Sequence, residues 1–149
     1  MASARDVEQQ AADLESLRSA TPGVATASLR KALQHRNNYL VSKAAKLAAD
    51  LSLIELLPDL ATTFARFLDN PIKTDPQCWA KNAIAKALAS LEYQEHELFL
   101  QGMRHVQLEP VWGGTSDTAG NLRGTCALAL VQCRELNSYG CEVDPGKSV

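Results

Sequence analysis

Aromatic residues make up only 5% of this 149-residue chain, and no apolar run approaches the roughly 20 residues needed to cross a bilayer. The first absence argues against a β-sandwich, whose strands draw on aromatic and β-branched side chains. The second excludes a helical membrane span. Net charge is also nearly absent, at −2, so no overall field demands nucleic acid or an acidic membrane as partner. The four cysteines, Cys78, Cys126, Cys133 and Cys141, have neither CxxC spacing nor the density of a disulfide framework. They read as small buried thiols in preference to metal ligands. Met1 to Asp13 has no apolar run of the signal-peptide kind, being broken by Arg5, Asp6 and Glu8. The expectation is a soluble cytoplasmic protein without cofactor or membrane partner.

What the chain does have is alanine and a repeat. Shifted by 40 residues, Tyr39 falls on Trp79, Ala45 on Ala85, Lys46 on Lys86, Ala49 on Ala89 and Leu51 on Leu91. A further copy shifted by 42 sets Arg123 on Lys81, Ala127 on Ala85 and Leu130 on Leu88. Helical, alanine-rich repeats of this length belong to solenoids of stacked helix pairs, whose usual product is a binding surface. Length and a hydrophobic content of 46% suit one ordinary domain covering residues 1–149.

Local signals divide that domain. A capping helix is expected over about 5–19, where Val7, Ala11, Leu14 and Leu17 form one apolar stripe. Thr21-Pro22 provides an N-cap followed by proline at the first helical position, opening the first repeat, about 23–51. Ser52 to Glu55 has capping-box spacing and would open the second repeat, about 52–91, with Pro58 bending its first helix. Asp75-Pro76 looks like another N-cap with proline just inside. The third repeat, about 93–136, contains a break from Leu108 to Thr118 with Pro110, Gly113 and Gly114, and ends in a helix to about Leu136. An irregular tail, 137–149, is expected, and no strand is required.

These residues resemble HEAT repeats. The pattern L-L-P-x-L appears as Leu56-Leu57-Pro58-Asp59-Leu60, with Asp69 in the turn. The second-helix pattern V-R-x-x-A-x-x-A-L appears as Ala80-Lys81, Ile84 and Ala87-Leu88, and again as Leu122-Arg123, Cys126 and Ala129-Leu130. In the Tyr39–Leu51 copy Val41 replaces the basic residue. The resemblance covers roughly Val24 to Leu136. It implies an all-α fold, a right-handed α-solenoid of about three HEAT-like helix pairs with an N-terminal capping helix. It also implies a non-enzymatic scaffold that binds a protein partner through concave second helices. The last second helix carries Ala127, Leu130 and Val131 without a clear polar cap, so the expectation is that the tail covers that face, that the chain is part of a longer array, or that it self-associates end to end.

Charge is distributed unevenly. From Ser16 to Ala49 there is no acid, yet Arg18, Arg30, Lys31, Arg36, Lys43 and Lys46 lie there. The later second helices carry Lys81, Lys86 and Arg123 in acid-free stretches, while acids gather in first helices and turns. A near-neutral chain can thus hold a basic concave groove built from Lys43, Lys46, Lys81, Lys86 and Arg123. The competing expectation is that Lys81 and Arg123 pair with turn acids such as Asp69, leaving Lys46 and Lys86 to carry the functional case. Tyr39 and Trp79 either stack on a base or fill space between pairs. Trp112, beside Gly113-Gly114, is a candidate contact residue of the inter-repeat loop.

Other motifs carry less. His96-Glu97 resembles one iron-holding pair of the deoxyhypusine hydroxylases, but a single pair cannot close a coordination sphere, so His96 reads as a helix-start residue. Gly146-Lys147-Ser148 ends like a phosphate-binding loop without its first glycine. The rival function is a nucleic-acid-binding protein or a HEAT-like DNA glycosylase using the basic groove; no motif of those enzymes aligns here.

Overall fold

A computed structural model describes the backbone of residues 3–143 and the side chains of residues 3–133. The chain is predominantly helical. Helix α1 (Ala4–Glu15) runs into a 3-10 turn at Ser16–Ser19, and α2 (Pro22–Ala32) and α3 (Asn38–Asp50) follow. A 3-10 turn at Ile54–Leu56 leads into α4 (Leu57–Leu68). The short α5 (Pro71–Thr74) and a 3-10 turn at Pro76–Cys78 precede α6 (Trp79–Ser90). Then come α7 (His96–Arg104), strands β1 (Leu108–Val111) and β2 (Gly114–Asp117), and α8 (Gly120–Val143). Helices α3, α6 and α8 pack in a row, with α2 on α3, α4 on α6 and α7 on α8; α1 also lies on α3. Among the described residues no helix is long and apolar enough to cross a membrane.

The internal repeat is legible in the burial of the row. Helix α3 buries Leu40, Val41, Ala44, Ala45, Leu47 and Ala48; α6 buries Ala80, Lys81, Ile84, Ala85, Ala87 and Leu88, the same positions 40 residues on. Both helices are covered on two flanks, which is why alanine is so frequent: small side chains let neighbouring axes approach. Gly102 serves the same end between α7 and α8, since a side chain there would collide with the Cys126 Sγ.

Both helices also end alike. Ser52 (φ 54°) and Glu92 (φ 61°) adopt the left-handed conformation. In each case the next residue returns a hydrogen bond into the last turn, Leu53 N–H to Ala48 at 2.9 Å and Tyr93 N–H to Leu88 at 2.9 Å. This is the Schellman closure, here without its usual glycine. Ser52 therefore ends α3 instead of starting the next helix through a capping box with Glu55, and Leu57, not Ser52, opens α4. Pro58 consequently falls in the first turn of α4, where its missing N–H has no partner to lose.

Two other expectations are corrected. The break from Leu108 to Thr118 is a β-hairpin, with Leu108 opposite Asp117 and Val111 opposite Gly114. Its two-residue tip, Trp112-Gly113, needs the positive φ that Gly113 supplies at +88°. The last helix does not stop near Leu136 but runs to Val143. One glycine, Gly140, costs a helix only about 1 kcal/mol and does not end it. The remainder of the expected tail, including Gly146-Lys147-Ser148, lies outside the described residues.

Glu92→Gly should raise the urea midpoint by relieving a left-handed non-glycine residue worth about 1 kcal/mol. Gly102→Ala should lower it by forcing α7 from α8. Equilibrium unfolding followed at 222 nm checks both signs.

Candidate functional site

The six residues singled out from sequence separate into three places. Lys81 and Arg123 lie at equivalent positions near the N-termini of α6 and α8, and both are engaged within the fold. Lys81 is fully buried, its Nζ 2.9 Å from Asp75 Oδ2 and 3.3 Å from the Phe67 carbonyl at the end of α4. Arg123 pairs with Asp117 at 2.6 Å and donates to the His105 carbonyl at the end of α7 at 2.9 Å. Each cation thus ties a preceding turn acid to the orphan carbonyls of the paired helix. The turn acid is Asp75, not Asp69, because only Asp75 sits beside the first amides of α6. The first unit, where Val41 replaces the cation, solves the same problem differently: Arg66 of α4 donates to the Leu33 and His35 carbonyls at 2.7 and 3.1 Å.

Asp75 works harder than a simple cap. Proline at 76 and left-handed Gln77 and Cys78 (φ 62° and 59°) detour the backbone, so α6 starts only at Trp79. The Asp75 carboxylate nonetheless accepts from Ala80 N–H at 2.8 Å, Lys81 N–H at 3.0 Å and Asn38 Nδ2 at 2.8 Å. Gln107 and Glu109 support the detour from β1 and the residue before it. Glu109 Oε2 accepts from Gln77 N–H at 2.7 Å, from Gln107 Nε2 at 2.9 Å and from the Thr118 hydroxyl. Cys78 Sγ donates to Gln107 Oε1 at 3.1 Å. Burial pushes the Glu109 carboxyl up, but these three donors and the Lys81 charge outweigh it and hold it below its ordinary range. The Arg123 pair and the Gln107 and Ala119 amides hold Asp117 lower still.

Lys43, Lys46 and Lys86 are brought together. With Trp79 and Asn82 they line a groove of about 590 Å³ between α3 and α6, floored by Ala49, Ala83 and Ala87. Lys46 and Lys86 are exposed, and neither makes an ion pair with another described residue. Lys43 is partly engaged, 4.0 Å from Glu15 and 5.7 Å from the centroid of the Tyr39 ring. Tyr39 meets Trp79 edge-on, with centroids 6.1 Å apart, so the two pack against each other, and Trp79 is still 47% exposed. Trp112 stands apart, fully exposed at the hairpin tip.

A second depression adjoins the groove under the hairpin, lined by Gln77, Pro110, Val111, Asp117 and Asn121, and it shares Trp79 and Asn82 with the first. Sequence reasoning missed Asn82 and the hairpin wall. The alternation that buries Gln107 and Glu109 while exposing Leu108 and Pro110 was the available signal for a strand. Asn82 Oδ1 is the one buried side-chain oxygen without a hydrogen-bond partner among the described residues.

The remaining candidates do not line the groove. Cys78, Cys126 and Cys133 are free and buried, as expected of packing thiols, and burial pushes Cys126 up to about 12 and raises the other two. Cys141 has no described side chain. Among the described residues no group of three or more His, Cys, Asp or Glu is placed to hold a metal, and His96 stands at the start of α7.

Lys81→Met should cost about 3–5 kcal/mol in urea unfolding, because it strands the buried Asp75 carboxylate, and Asp75→Asn with Lys81→Met should recover much of the loss. Arg123→Met, at a pair whose side chains are 34% and 27% exposed, should cost distinctly less. Folding lowers Glu109 and Asp117 from their ordinary 4.5 and 3.8. Their contribution is therefore complete above those values and is lost as pH falls through the folded ones. The urea midpoint should drop below about pH 4, and Glu109→Gln should flatten that drop.

No protein family, curated protein or solved structure matches this chain in sequence or fold comparison.

Proposed function

We propose that this chain is a HEAT-like α-solenoid acting as a non-enzymatic scaffold, and that it holds a protein partner in the groove between α3 and α6. Three features support the solenoid: the 40-residue offset in burial, the two matching Schellman ends, and the two acid–cation pairs joining a turn to the next helix. The observation that carries the functional reading is the convergence of Lys43, Lys46 and Lys86 beside a half-open Trp79. Lys81 and Arg123 are engaged within the fold, which leaves Lys43, Lys46 and Lys86 as the cations of α3, α6 and α8 that a partner can meet among the described side chains.

A binding role suits that arrangement. The lysines are flexible point charges on an alanine floor, and they attract an anionic segment without fixing a reacting atom. The described thiols are raised and hence protonated near neutrality, so they are poor nucleophiles. A second reading, nucleic-acid binding, has one observation in its favour: the open face of Trp79 is a platform on which a base can stack.

Lys46→Glu with Lys86→Glu should shift elution from heparin to markedly lower salt while leaving the helical circular dichroism spectrum unchanged. Unaltered elution would remove the groove from consideration. Affinity for any anionic probe should fall with ionic strength, since exposed charges are screened over about 8 Å at physiological salt.

A further inference from the structure

The groove between α3 and α6 does not end at Trp79. Trp79 and Asn82 line both it and the depression under the hairpin, so the two adjoin at these side chains and are together called the trough. Charge is segregated along it. The α3–α6 part carries Lys43, Lys46 and Lys86. The hairpin part is lined by Trp79, by exposed Val111 and Pro110, and by Asp117 and the buried Glu109. We infer that the trough takes an extended acidic peptide whose negative residues lie on the three lysines and whose single apolar side chain covers Trp79 against Val111 and Pro110. This rests on the groove reading above and adds to it the kind of occupant and its register.

The spacing follows from helix geometry. Lys86 and Trp79 are seven residues apart on α6, about 10.5 Å along the axis. An extended chain covers about 3.3 Å per residue, so the apolar residue falls about three positions from the acidic cluster. Trp79 is braced edge-on by Tyr39 and presents a fixed wall, which favours one shape-matched side chain. A nucleic-acid strand fits the same trough less well. It carries a charge on every residue, and past Trp79 the depression under the hairpin is lined by no lysine or arginine to meet further phosphates.

Fluorescence anisotropy with the full chain tests this, using a labelled nonapeptide with three consecutive glutamates and a leucine three positions on. The controls are the same peptide with serine for leucine, and an octathymidylate. The wild type should bind the leucine peptide at least fivefold more tightly than the serine peptide. Trp79→Ala and, independently, the surface change Val111→Ser should reduce that ratio toward one while acid-dependent binding persists. Lys46→Glu with Lys86→Glu should abolish binding of both peptides. Equal binding of the two peptides by the wild type would overturn the extended trough yet leave the lysine groove standing. Tighter binding of octathymidylate would overturn the peptide as occupant. Failure of every anionic probe to bind would overturn the groove reading itself and this inference with it.

Discussion

Two opposite charges without access to water, Asp75 and Lys81, sit where α3, α4 and α6 come together. Asp75 accepts from Asn38 at the start of α3 and from the first amides of α6. Its partner Lys81 reaches the last carbonyls of α4, and the Asp75 carbonyl accepts from Gln107 beside the hairpin at 2.8 Å. Desolvating each ion costs several kcal/mol, so the pair is tolerable because both Asp75 oxygens and the Lys81 ammonium find hydrogen-bond partners. A buried pair of this kind adds little net stability over an apolar replacement. What it adds is direction: the ends of α3, α4 and α6 and the entry to α8 are held at one point, and the packing of the row follows from it.

That division of labour explains why a near-neutral chain can present a basic groove. The cations nearest the N-termini of α6 and α8, Lys81 and Arg123, are consumed by acids and carbonyls. Those one or two turns further along, Lys46 and Lys86, have alanines as neighbours and face out between α3 and α6. Alanine at the floor does two things at once: it lets the helices come together, and it leaves the trough deep enough for side chains of a visitor. The hairpin then extends one wall with the only regular strands among the described residues.

Helices, their order and most of the burial were legible because the repeat imposes one pattern at two registers: Leu40 to Ala48 and Ala80 to Leu88 show the same set of inward positions. The convergence of Lys43, Lys46 and Lys86 was also readable, from the matching of Lys46 and Lys86 in the repeat. The fate of Lys81 was only half readable. Its pairing with a turn acid could be anticipated, but Asp75 and Asp69 are both turn acids, and choosing between them requires the left-handed detour at Gln77 and Cys78, which nothing in those side chains announces. Ser52 misled for a related reason: a serine three residues before a glutamate has capping-box form, whereas the left-handed conformation it adopts is normally given to glycine. The hairpin was hidden by its proline and glycines, which are turn formers wherever they occur, and its buried side is polar, with Gln107 and Glu109 in place of an apolar stripe.

The thiols give the molecule a built-in clock. Cys78, Cys126 and Cys133 are spread over the entrance to α6 and two turns of α8, and burial keeps all of them protonated. An alkylating reagent can reach each one only when its own surroundings part. The order in which they are modified would therefore record the order in which the ends of the row come undone.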